Sequence, residues 1–245
     1  MTHVSSGLAL VLAGCAAHAP PPPPRPAPPV AAVKPGLLDS SMAVENDVMH
    51  IRAAGKAVPL PNVPIAETIG LPMVGNADID IDLHVPMLDG HPDFRGATGA
   101  AKFRCEPCTL GDDKTKLKPH MKDARSSGFA GDGISFGHIT FDRIDVELAF
   151  DRGHADITRW VIDSPDVTIE MAAHLELAQE LAHSTITGCL RFSTTPALAE
   201  RDPKTTAAIA TTGAPLAPDG LFNIKLAGPL NDMKRLGMVC GNDAP

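Results

Sequence analysis

The sequence predicts a mainly β protein built on one curved antiparallel sheet, a meander, with one or two short helices covering it. Three observations predict this. Val167, Ile169, Met171, Ala173, Leu175 and Leu177 alternate with Thr168, Glu170, Ala172, His174 and Glu176. In a strand this puts apolar side chains on one face and mostly polar ones on the other. Ile144, Val146, Leu148 and Phe150 alternate in the same way with Asp145, Glu147 and Ala149. Turn residues then separate the runs: Asp151-Arg152-Gly153 leads into a return strand over Ala155–Asp163, and Ser164-Pro165-Asp166 leads out of it. After a loop, Ile186, Gly188, Leu190 and Phe192 continue the pattern. Consecutive strands joined by short turns form a meander. Its apolar face, presented most clearly by Val167, Ile169, Met171, Leu175 and Leu177, must be covered by something.

The amino terminus reads as a targeting segment. Gly7–Ala17 is too short to span a bilayer, which takes roughly 20 residues, and has the length of a signal peptide's apolar region. It contains Leu12-Ala13-Gly14-Cys15, which resembles the lipobox of bacterial lipoproteins and implies cleavage before Cys15 and acylation of its thiol. Met1–Ser6 lacks the Lys or Arg of a signal peptide, so a truncated hydrophobic anchor is the alternative. Ala16 in place of Asp implies the outer membrane as the default destination. Residues 1–15 are thus expected to be a lipoprotein-type signal and residues 16–36 a proline-rich linker. Pro20–Pro24, Pro26, Pro28 and Pro29 favour polyproline II, a semi-rigid spacer. Residues 37–245 remain for one β-rich domain, about 210 residues. The net charge of −8 leaves no basic cluster to neutralise phosphates and excludes a nucleic-acid partner.

Within that domain, a strand is expected over Asn46–Ala54, ending at Gly55, with a helix over Ser41–Ala54 as the alternative. Ile65–Ile69 suits one helical turn. Ile79, Ile81, Leu83 and Val85 alternate with Asp78, Asp80, Asp82 and His84. The Asp-x-Asp-x-Asp spacing resembles a calcium loop, but Leu83 stands where the loop needs its turning Gly, so the strand reads as having a charged outer face. Asp89-Gly90 is a turn and Ala97–Cys105 the next strand.

Cys105-Glu106-Pro107-Cys108 can be a redox centre, half a metal site or a structural bridge. The redox type needs a helix start in a βαβ unit, whereas here the pair follows a strand and runs into a turn over Thr109–Asp113. Zinc needs a second ligand pair, and Cys189, Cys240, His120 and His138 offer no ligand spacing. Disulfides Cys105–Cys108 and Cys189–Cys240 are the expectation in an oxidising compartment. Gly133-Ile134-Ser135-Phe136-Gly137 fits the Gly-x-Ser-x-Gly pattern of a nucleophile elbow, which needs a strand before the serine and a helix after it. A turn precedes this serine and a strand pattern follows it, so no catalytic residue is assigned.

Toward the carboxyl terminus, Thr194 or Thr195 caps a short helix over Pro196–Arg201 and Asp202-Pro203 starts another over Pro203–Thr211. Leu198, Ala207, Ala208 and Ile209 are placed to cover part of the sheet. Asp219-Gly220 turns into a last strand carrying Phe222, Ile224 and Leu226. Asn231–Cys240 is expected to cross a sheet edge.

These motifs occur in a specific order: Gly75–Pro86, Ala97-Thr98-Gly99, Cys105-x-x-Cys108-Thr-Leu-Gly-Asp112, Asp132–Phe136, Ser164-Pro165-Asp166, Gly188-x-Leu-Arg-Phe192, Arg201-Asp-Pro-Lys204 and Asp219-Gly220-x-Phe222. Over about Val48 to Cys240 the set resembles the GspN protein of type II secretion systems, in its myxobacterial form. The resemblance implies a periplasmic β-domain of the secretion apparatus, related to AsmA-like envelope proteins. The start differs: a typical member has a membrane helix where this chain has a lipobox and a proline spacer. The expected function is noncatalytic support of the type II machinery through other secretion subunits, in the periplasm and anchored to a membrane through the lipid. The alternative is a lipid-binding or transfer module that holds acyl chains on the apolar face. No convergent set of acid, base and nucleophile points to an enzyme, and no cofactor or metal is expected.

Overall fold

The structure is a computed structural model that describes residues 36–63, 71–112, 114–117, 134–135, 137–210 and 214–240. All of them lie in the compact unit Val33–Pro245. Cys15, the proline linker, Ile65–Ile69, His120, Gly133 and Phe136 lie outside the described residues.

The strands in chain order are β1 (Leu38–Glu45), β2 (Val48–Pro59), β3 (Met73–Leu88), β4 (His91–Pro92), β5 (Thr98–Leu110), β6 (Lys116–Leu117), β7 (Ile134–Ser135), β8 (Ile139–Phe141), β9 (Arg143–Asp151), β10 (His154–Asp163), β11 (Val167–Glu176), β12 (Thr185–Thr194), β13 (Phe222–Pro229) and β14 (Lys234–Leu236). Helices α1 (Pro196–Arg201) and α2 (Pro203–Ala210) lie between β12 and β13. Twelve strands form one open antiparallel sheet in the order β1-β2-β3-β5-β9-β10-β11-β12-β13-β14, with β4 on β3 and β8 on β5. The fold is therefore mainly β, and the meander expected from β9 to β12 is present.

Turn chemistry explains the hairpins. Asn46 and Asp47 both take positive φ between β1 and β2, Asp89 and Gly90 do so between β3 and β4, and Arg152 and Gly153 between β9 and β10. Two consecutive left-handed residues match the twist of the flanking strands. The first of these turns makes residues 38–59 a hairpin, where the sequence suggested one strand ending at Gly55. Gly99 meets a stricter demand. Its φ is +128°, and an added Cβ would lie 2.1 Å from the Asp82 carbonyl oxygen across the β3–β5 ladder. Gly99→Ala is expected to destabilise the domain by about 1–3 kcal/mol, read as a lower urea midpoint at unchanged slope.

The helices form where capping predicts. The Thr195 hydroxyl accepts the Leu198 amide at 3.3 Å, and the Asp202 carboxylate accepts the Thr205 amide at 3.0 Å. Leu198 and Ile209 are buried against Leu60, Ile139, Phe141 and Val167, a burial worth about 1.5–3 kcal/mol for each large side chain. Ala207, expected to help cover the sheet, is exposed instead, because a helix this short turns only part of its surface inward. A second core holds Met49, Val85, Ala97, Ala155 and Leu177, with Phe94 and Leu181 packed against it. Met49 of β2 and Leu177, just after β11, thus belong to one cluster.

Candidate functional site

Beside the first core, part of the sheet's apolar face is left uncovered. Register shows why its residues share a side: Phe103 on β5 faces Val146 on β9, which faces Trp160 on β10, and Ile144 faces Ile162. Directly paired residues of antiparallel strands point to the same face. On β11, Ile169 pairs with Phe192 and Met171 with Leu190. All of these except Ile144 are only half-buried. Phe103, Phe141, Val146, Trp160, Ile162 and Ile169 are among the residues lining a trough of about 370 Å³ that exposes only apolar surface. That volume lies within the range of small-molecule sites, about 300–1,000 Å³.

Of the expected apolar run, only Ile169 lines this trough. Val167 is buried in the core under α1 and α2, and Leu177 in the core at the opposite end. Ile169, Met171 and Leu175 between them are half-buried. Trp160 and Phe103 were not singled out from the sequence. Parity counted from Ala155 places Trp160 outside; the register shift between Ile157 and Arg159 turns it inward, and no local pattern in the sequence announces that shift.

The outer face is charged. Lys56 meets Asp78 at 2.8 Å, Lys102 meets Glu147 at 3.2 Å and Arg159 meets Asp145 at 2.7 Å. Asp78 and Asp82 of the Asp-x-Asp-x-Asp strand are thereby paired, the latter with Arg52 at 3.5 Å. The hydrogen bond from Lys56, helped by the Ala57 amide, holds the Asp78 carboxyl below the usual carboxylate range. Among the described residues no group of three or more His, Cys, Asp and Glu could hold a metal ion.

A polar staple fixes the helices to the sheet. Asp166, with no exposed surface, accepts both guanidinium nitrogens of Arg201 at 2.8 Å and the Thr140 amide at 2.6 Å. Arg201 also donates to the His138 carbonyl at 3.0 Å. Burial alone raises the Asp166 carboxyl, but the Arg201 bonds and the Thr140 amide outweigh it, and the net shift is downward.

The cysteines divide differently from the expectation. Cys189 and Cys240 form a disulfide. Cys105 and Cys108 are buried free thiols, so the expected bridge between them is not made. The turn expected from Thr109 starts later: β5 runs on to Leu110, the chain turns only from Gly111, and both thiols lie inside the strand, packed in the core with Met73 and Phe141. A buried thiol behaves there as a small hydrophobe. The Cys105 thiol donates to the Pro107 carbonyl at 3.6 Å; the neighbouring Cys108 sulfur, helped by burial, pushes the Cys105 thiol up, and Cys105 in turn pulls the Cys108 thiol down. Ser135 lies in a two-residue strand opposite Lys116, and the next described element is the strand β8. The helix that a nucleophile elbow needs is not found among the described residues there.

Comparison with protein-family models, with curated proteins and with solved structures finds no match to this chain.

Proposed function

We propose that this protein is a noncatalytic binding component of the bacterial envelope, held at a membrane by a lipid on Cys15 and a proline spacer, and that its concave face takes up an acyl chain. The observation that carries this reading is the trough, which offers carbon surface alone and is left open on the flank of the first core. A sheet face that served only as packing surface would be covered by its own helices. Here α1 and α2 reach one end only. Burying an acyl chain contributes about 0.8 kcal/mol for each methylene removed from water.

The single tryptophan lines the trough, so it reports directly. Titration with 9,10-dibromostearate is expected to quench Trp160 fluorescence saturably. Val146→Glu, which places a carboxylate among apolar side chains, is expected to weaken the binding at least ten-fold. Absence of saturable quenching, or quenching indifferent to Val146→Glu, contradicts the proposal.

A second reading, contact with subunits of a type II secretion apparatus, has its own support. The ordered motifs resemble the GspN family, and β1 is a wholly exposed edge strand whose Met42 and Val44 are 68% and 57% exposed. Unpaired strand edges readily add a partner strand. A photocrosslinker at Met42 that captures identified secretion subunits in cells supports it, and labelling of lipid alone counts against it.

A further inference from the structure

A second opening lies within the sheet itself. β10 and β11 are consecutive and joined by the short turn Ser164-Pro165-Asp166, yet ladder pairs link them only at His154↔Glu176, Ala155↔Leu175 and Asp156↔His174. Beyond these pairs the edges over residues 157–163 and 167–173 share no ladder, while β10 stays paired with β9 and β11 with β12. The register of β10 shifts between Ile157 and Arg159, and such a bulge bends a strand away from its neighbour. The one link across the gap is the Trp160 indole, which donates to the Ile169 carbonyl at 3.2 Å. Both ends are held, one by the three ladder pairs and the other by the staple of Asp166 with Arg201. The cleft measures about 800 Å³ and is lined by consecutive residues, 160–165 and 167–171. Residues of both parities line it, so it runs between the strands rather than over one face.

We propose that this cleft is an insertion site for an extended polypeptide, which enters as an additional strand between β10 and β11. Two facing strand edges offer backbone donors and acceptors on both sides, a demand that another peptide backbone meets. Each open edge, residues 157–163 or 167–173, is within the length of an ordinary strand, about 3–10 residues. On the inner side the guest's alternate side chains meet Trp160, Ile162 and Ile169, which also line the apolar trough. On the outer side Asp142 and Asp163 are exposed, and neither has an ion-pair partner among the described residues. Glu170 is already matched by Arg191 at 2.7 Å. The site therefore selects a segment that alternates apolar residues with Lys or Arg. The edge of β1 differs in kind, since it can pair a guest on one side only. The site shares Trp160, Ile162 and Ile169 with the trough, but its open backbone edges are argued from the missing ladder and not from the proposed acyl ligand.

The test uses the full chain and the synthetic peptide acetyl-Lys-Val-Lys-Val-Lys-Val-Lys-amide. Hydrogen exchange with and without peptide is expected to slow at least ten-fold in residues 157–163 and 167–173 together. Trp160 emission is expected to shift as its bond to Ile169 is replaced. The Glu-Val counterpart is expected to bind at least ten-fold more weakly. The surface variant Asp142→Lys/Asp163→Lys, whose sites are exposed and leave the fold intact, is expected to reverse that preference. Protection confined to β1, protection on one edge of the cleft only, or no protection in either segment overturns the proposal. So does protection of both segments by dibromostearate with none by the peptide, which assigns the cleft to lipid.

Discussion

Arg201→Ala is expected to destabilise the domain by about 3 kcal/mol at neutral pH, a fall of roughly 6–12 °C in Tm for a domain of this size. The side chain removed is half-exposed, but the one it abandons is not. Asp166 has no accessible surface and would keep the Thr140 amide as its main support. A buried carboxylate without its cation is the costly outcome, whereas Asp166→Asn retains an acceptor for Thr140 and frees Arg201 to reach water, and is expected to cost less. The pH dependence separates the two causes. In the wild type the Asp166 carboxyl is depressed, so its contribution is present above the unfolded value of about 3.9 and is lost as pH falls through the folded value. In Arg201→Ala burial acts unopposed by the guanidinium and raises the carboxyl, so the penalty is full at neutral pH and vanishes once the group is protonated in both states. Thermal melts of the two proteins are expected to differ most near pH 7 and to converge below about pH 4. A difference that stays constant across that range would assign the loss to α1 packing instead.

Reduction of the Cys189–Cys240 bridge is expected to lower stability by up to about 4 kcal/mol, the chain-entropy value for a closed loop of this length, since 51 positions separate the two cysteines. The stretch it secures has little else. β14 is exposed along its length and makes three ladder pairs with β13. Cys189 is fully buried on the outer register of β12, so the bridge also covers that position. Cys189→Ser/Cys240→Ser is expected to melt where the reduced wild type melts. Adding reductant to that variant is expected to change nothing, because Cys105 and Cys108 are already thiols. A further drop on reduction would show a second bridge.

Much of the sheet was legible because alternation is a local property. The runs over β3, β9, β11 and β13 announce their faces residue by residue, and Thr195, Asp202, Asp89-Gly90 and Arg152-Gly153 declare caps and turns through their own chemistry. What alternation cannot report is which edges pair. Ala155–Asp163 reads as an ordinary return strand, yet the bulge near Thr158 separates most of it from β11. The cleft is therefore invisible in sequence, although every residue lining it except Asp142, which breaks the strand expected there, sits in a correctly read strand or turn. Cys105 and Cys108 fail for a related reason. Their spacing suggested a bridge beside a turn, and the decisive fact is the continuation of β5 through both, which buries them in the core. The Asp166–Arg201 pair joins groups 35 positions apart, and nothing in either segment alone identifies the other.

The trough likewise emerges only when six strands are brought together, since each contributes one or two of its residues. Whether it is filled in the cell is the central point, and native mass spectrometry of the full chain, purified from membranes in mild detergent, addresses it most directly. The account predicts protein masses displaced by those of bound acyl lipids beyond the covalent anchor, and their loss in Val146→Glu. A wild-type spectrum holding only the anchored protein, unchanged by that substitution, would contradict it.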